Sequence, residues 1–206
     1  MEMQSYQNFL DQKPSKGDLK KLEIIQAAIE CISSIGFEKT TYQAIAEKVG
    51  TRRAHIAYHF KDKSDIFKAS IQYINGNYQR ILTEQLEEAQ PGIDTIIKYA
   101  SSPFVWAEQN PNELSVMLLF YYLCTIDPEY RALNDDLRKR GVERILLVLT
   151  QECRIELMPV ELELKAKQIQ NLISGSIMDA VTTQHKSLKQ AKDETIKNIT
   201  NLLEKV

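Results

Sequence analysis

Between residues 48 and 63 the cations Lys48, Arg52, Arg53, Lys61 and Lys63 are opposed only by Asp62, in a chain whose formal net charge is -2. Cations gathered in so short a stretch suit a polyanion better than a small substrate. A guanidinium fork matches guanine O6 and N7, and Arg53, in the first turn of RRAHIAYHF, is placed to use one. Taking Arg52 as origin at about 100° per residue, Ile56 and Phe60 lie at roughly 40° and 80°, while Ala54 and Tyr58 point the opposite way. His55 and Ala57 take the shoulders, and small side chains at 54 and 57 let a helix sit deep in a groove. The Thr40 and Thr41 hydroxyls, Tyr42, Tyr58, His59, Lys63 and helix N-terminal amides supply donors that position a phosphate backbone without reading sequence, and Thr51 joins them among the expected DNA-binding residues.

Other chemistries find little support. His55 and His59 stand four apart, as in a zinc protease, but Ile56 occupies the place of the glutamate that motif needs, so no metal site is expected. Cys31, Cys124 and Cys153 lie far apart, without zinc or redox spacing, and read as reduced core residues. No Gly-rich phosphate loop, nucleophile motif or carboxylate-histidine pairing stands out, so neither an enzyme nor a cofactor is expected. The start MEMQSYQNFLDQKPSKGD lacks an apolar run of signal length, and nowhere do about eighteen apolar residues follow one another. A cytoplasmic protein without membrane contact is expected.

The elements that position the cationic stretch are helices. Apolar residues recur at three- and four-residue steps nearly throughout, with prolines and glycines between the runs, so the chain reads as all-α. Residues 1–16 are polar and aperiodic and read as a flexible arm. Asp18 is the expected cap of a first helix carrying Leu22, Ile25, Ala28, Ile29 and Ile32, closed by Gly36. Thr40 or Thr41 caps YQAIAEKV, Gly50 stops it, and Thr51 is expected to cap RRAHIAYHF. Ile45 with Val49, and Ile56 with Phe60, give these two short helices one shared apolar seam, the pattern of a helix-turn-helix whose second helix enters the major groove. A long helix of about 65–88 follows, then helical runs near 93–109, 112–126, 129–156, 160–184 and 188–205, the pattern of a helical bundle.

Over about residues 20–67 the chain resembles the TetR family of one-component transcriptional regulators. Gly36-Phe37, Thr40-Thr41, Ile45-Ala46, Gly50, Ile56, His59-Phe60 and Lys63 fall, without gaps, where that family's pattern places a Gly-Phe, a Thr, an Ile-Ala, a turn Gly, a Leu, a His-Phe and a Lys. Two positions depart: Arg52 replaces the usual small polar residue, and Ala57 replaces a Tyr that here is Tyr58. The resemblance implies a helix-turn-helix head over 17–64 and a ligand-binding and dimerisation domain over 65–206. It further implies a homodimeric repressor on a pseudo-palindromic double-stranded DNA operator, released by a small effector, with an effector-free helical DNA-binding activator or interaction module as the alternative. The total of about nine helices is similar to the family's.

Beyond the head, an aromatic-rich middle gives a candidate pocket for an apolar or aromatic effector: Tyr78, Phe104, Trp106, Met117, Phe120, Tyr121 and Cys124. The plainer reading of each is core packing. Family members pair their last two helices across a two-fold axis, and small Gly175, Ser176 and Ala180 permit close approach. On that basis Ile169, Leu172, Ile173, Ser176, Ile177, Ala180, Ile196, Ile199 and Leu203 are the expected dimer residues, with intramolecular packing as the alternative.

Overall fold

The computed structural model describes residues 15–204, so the flexible arm expected over 1–16 falls mostly outside the described residues. Among the described residues there are nine helices and no strand. They sort into two compact units, one running up to Asn77 together with Asn112–Met117, the other comprising Tyr78–Pro111 and the chain from Leu118 onward.

In the first unit, α1 (Lys16–Ile35) starts one turn earlier than its composition suggests. Ser15 is the N-cap and Asp18 the third residue of a capping box, each side chain accepting from the other's backbone N–H at 3.2 Å. Gly36, at φ 84°, ends the helix, a backbone setting that favours glycine. Thr41 is the residue that caps α2 (Tyr42–Val49), accepting from Ala44 N–H at 3.1 Å. Gly50 closes α2 in the left-handed conformation at φ 68° and ψ 37°. The N–H groups of Gly50 and Thr51 return to the carbonyls of Glu47 and Ala46. This tight turn sends the chain into α3 (Arg53–His59), which Phe60 ends. The N-cap of α3 is Arg52, whose side chain has no acceptor with which to cap, while Thr51, expected there, falls one residue earlier and its hydroxyl meets His55 Nδ1 at 2.8 Å. α4 (Lys63–Glu87) follows, with Asp62 accepting from Asp65 N–H at 2.9 Å in its first turn.

Ile24, Ala28, Ile45, Ala46, Ile56, Ile66, Phe67 and Ile71 form the buried interior of this unit. Ile45 and Ile56 are both fully buried, so α2 and α3 are docked through the expected seam. The Tyr42 hydroxyl donates to Phe60 O at 2.9 Å and ties the start of α2 to the end of α3.

The second unit holds α5 (Ile93–Gln109), most of α6 (Pro111–Cys124), α7 (Pro128–Leu147), α8 (Pro159–Thr182) and α9 (Leu188–Glu204). α8 packs on α7 and α9, and α9 on α5. Their common core includes Ile96, Ala100, Phe104, Ile145, Leu149, Ala166, Ile169 and Ile199. The single helix expected over 129–156 is shorter: α7 gives way to a π turn at Val148–Glu152. The chain then leaves helical geometry, with Arg154 at φ 53°, and Ile155 and Leu157 pack against the core. α7 and α8 approach closely enough that a Cβ on Gly141 would run into the Gln170 side chain.

Candidate nucleic-acid interface

Of the seven residues of α3, only Ile56 is buried. Arg53, Ala54, His55, Ala57 and Tyr58 all face outward, Tyr58 with 84% of its surface exposed. Arg52, at the cap, is exposed as well. Among the described residues the side chains of Arg52 and Arg53 make no hydrogen bond or ion pair, and the same holds for that of exposed Lys61. A guanidinium with five N–H donors and no protein partner is held ready for an external acceptor.

The remaining cations have been recruited by the fold. Lys48 pairs with Glu30 of α1 at 2.6 Å, and that hydrogen bond raises its pKa above the usual lysine value. Lys63 donates to Phe37 O at 2.9 Å while its ammonium sits 4.1 Å from the Phe37 ring centre, a cation–π contact that anchors the start of α4 to the turn after α1. The expected cationic patch therefore narrows to Arg52, Arg53 and Lys61.

The hydroxyl donors divide in the same way. Thr40 does not belong to an exposed donor set: it is buried, and its hydroxyl donates to Gly36 O at 2.8 Å, closing the turn between α1 and α2. Thr41 is exposed but accepts at the helix cap through its oxygen, leaving its proton free to donate outward. Tyr42 is half-buried and already donates to Phe60 O; burial is the main cause of its raised pKa, with Asp62 and Asp65 adding to it. Tyr58 and His59 meet edge to face with ring centres 5.1 Å apart. Partial burial holds the His59 pKa below the ordinary histidine value, assisted by Lys21, His55 and Lys20. Thr51 and His55 form a local pair that fixes the His55 ring on the shoulder of α3.

The residues expected at a pocket are placed mainly as packing. Phe104, Trp106, Phe120 and Cys124 are buried, and Met117, Tyr121 and Tyr78 are half-buried. Tyr78 lies edge-on to Trp106 at 6.4 Å, Phe120 is tilted against Tyr121 at 6.2 Å, and Cys124 Sγ donates to Tyr130 O at 3.3 Å.

The expected dimer residues are placed mainly as packing within their own unit. Ile169, Ile173, Ile199 and Leu203 are buried in the core of their own unit. Leu172, Ile177 and Ala180 are half-buried against the same core, and Ser176 and Ile196 are half-buried. α8 has a second stripe at helical spacing that was not singled out: Val160, Leu164 and Met178 are 76%, 57% and 42% exposed, with exposed Gly175 between them. Its signal in the sequence is the run of positions 160, 164, 171, 175 and 178, masked by the stronger isoleucine stripe beside it.

Residues 24–70 match the family described as bacterial regulatory proteins, tetR family. Over the longer chain, the HTH-type transcriptional regulator BetI of Proteus mirabilis is 25% identical across 181 residues, covering 86% of this chain and 88% of that protein. The nucleoid occlusion factor SlmA of Vibrio vulnificus is 26% identical over 182 residues, 84% of this chain and 89% of its own. Among solved structures, a transcriptional regulator from Saccharomonospora viridis in complex with choline shares the fold at a TM-score of 0.73 with 20% identity, covering 88% of this chain and 95% of that one.

Proposed function

We propose that this chain, a member of the TetR family of bacterial regulatory proteins and hence a transcriptional regulator, acts as a cytoplasmic homodimeric repressor released from a pseudo-palindromic operator by a small effector. The observation that carries the DNA half is α3 itself, a helix with a single buried residue that opens on two exposed arginines free of protein partners among the described residues. In this reading α3 lies in the major groove, Arg53 reads a guanine, Ala54 and Ala57 allow close approach, and Thr41, Arg52, Tyr58 and Lys61 hold phosphates.

Dimerisation is supported by the outward apolar stripe of α8, which leaves Val160, Leu164 and Met178 in water unless a like surface covers it. Two-fold symmetry then presents two reading helices to two half-sites. An effector in the second unit and an operator on the first would favour different separations of the two reading helices. Each would then weaken the other by one coupling free energy. The choline complex of the structural relative supports a small-molecule role for a unit of this shape. A reading in which the protein organises DNA without an effector draws on the similarity to SlmA, a nucleoid occlusion factor.

Selecting bound duplexes from a random DNA pool tests the proposal. A single inverted-repeat motif, protected over two half-sites, is the expected result. A pool that enriches no motif would remove the sequence-specific reading.

A further inference from the structure

The second unit contains a cleft of about 240 Å³ lined by the end of α4, the start of α5, the last turn of α7 and the π turn that follows it. Two charged groups line it: Arg144, half-buried on α7, and Glu152, exposed on the π turn. Among the described residues Arg144 has no carboxylate within ion-pair distance; its charge works against the rise that burial imposes on the pKa of the nearby Tyr99 phenol, which donates to Gly141 O at 3.4 Å. A guanidinium carries five N–H donors, more than a single phenol can occupy. A guanidinium that lines a cleft without a carboxylate partner is available to an anionic ligand.

The rest of the wall sets the ligand's other end. Leu86, Ala89, Pro91, Leu147 and Val148 are apolar, and Leu147 is 54% exposed, an unusual cost for a leucine beside a concave surface. Exposed Glu152 disfavours a second anionic group. The π geometry at Val148–Glu152 is the kind of local widening often found where a helix borders a functional site. The volume matches about eight waters at ~30 Å³ each, which suits a molecule on the order of ten heavy atoms.

We propose that this cleft binds a small monocarboxylate with a short apolar tail, its carboxylate forked on Arg144 and its tail along Leu86, Ala89, Leu147 and Val148. Guanidinium and carboxylate pair through two parallel N–H···O bonds, so the charged head fixes orientation while the tail contributes burial. The inference deepens the effector reading above and rests on it only for what binding does to DNA.

Calorimetric titration of the full chain with hexanoate, 1-hexanol and adipate tests it. Hexanoate is expected to bind saturably, one per chain, with hexanol and adipate each at least tenfold weaker. Arg144→Gln is expected to lose at least tenfold in hexanoate affinity. Leu147→Glu, at an exposed position that leaves Arg144 in place, should lose a similar factor by repulsion. Absence of saturable hexanoate binding, equal binding of hexanol, or unchanged affinity in both variants would overturn the proposal. Saturable binding that leaves affinity for the selected operator unchanged would uphold the cleft and overturn effector release, so the two readings fail separately.

Discussion

α3 and α8 are both surfaces that the protomer leaves unfinished, but they are unfinished in opposite chemistries. α3 buries Ile56 alone and exposes arginine, histidine and tyrosine. α8 buries Leu162, Ala166, Ile169 and Ile173 on one face and exposes Val160, Leu164 and Met178 on another. Exposed cations without partners cost little in water and gain much from a phosphate backbone, so affinity at α3 should be steeply salt-dependent. Exposed aliphatic side chains gain from burial at about 25 cal/mol per Å² and are nearly indifferent to salt. Salt and charge substitutions should thus act on α3, and apolar-to-charged substitutions on α8.

The largest effect is expected at Arg53. A bidentate guanine contact is worth about 1–3 kcal/mol, and a dimer has two, so Arg53→Ala should weaken binding to the selected operator by about 2–6 kcal/mol. Fluorescence anisotropy measures the loss, and sedimentation should find the same oligomer as wild type. Lys48→Ala provides the contrast within the same stretch. Its ammonium is held by Glu30 at 2.6 Å in an exposed pair, so operator affinity should change little. If the two variants weakened DNA binding equally, the division of the cations into free and recruited would be wrong.

The second comparison is internal to α8. Ile169 is fully buried, so Ile169→Ala should lower unfolding stability by about 2–5 kcal/mol without a direct effect on association. Leu164→Asp, on the exposed stripe, should leave the monomer folded and shift sedimentation toward half the mass. Dimers that survive Leu164→Asp together with Val160→Asp would place the interface elsewhere.

The contrast between these helices also explains what the sequence made visible. The all-helical class and the α2–α3 seam were legible because Ile45, Val49, Ile56 and Phe60 keep strict four-residue spacing across a Gly turn. Which hydroxyl does what was not. Thr40 and Thr41 are adjacent and chemically identical, and only backbone direction sends one to Gly36 O and the other to Ala44 N–H. Likewise Thr51 looks like a cap, yet the cap position falls on Arg52. On α8 the richer isoleucine stripe suggested an interface, but a protomer buries its most apolar face first and leaves the poorer stripe outside. Arg144 gave no signal at all, since α7 carries several charges and nothing in their spacing marks the one beside a cleft.

A smaller effect should follow at the turn that aims α3. Gly50 sits at φ 68° with open space where a Cβ would go, so Gly50→Ala meets backbone strain alone. The expected cost is about 1–2 kcal/mol, read as a lower thermal midpoint. Operator affinity at a temperature where the variant is folded should fall by less than for Arg53→Ala.

The smallest predicted effect concerns pH and tests whether the outward face of α3 is tuned for folding or for DNA. Burial, then Lys21, His55 and Lys20, hold the His59 pKa below its ordinary value, so the folded free protein favours the neutral ring. A depressed histidine pKa contributes stability that is fully present above about pH 6.5 and is lost as pH falls through the folded-state value. Wild type should therefore lose more thermal stability between pH 7.5 and 5.5 than His59→Gln, whose side chain does not titrate there. A phosphate beside α3 would act in the opposite sense, favouring the imidazolium, so operator affinity of wild type should rise on acidification while that of His59→Gln rises less. Two pH dependences of opposite sign in one residue would mark His59 as a group the fold keeps neutral and the DNA recharges. If operator affinity showed the same pH slope in both proteins, His59 would belong with Thr40 among the residues that serve the fold alone.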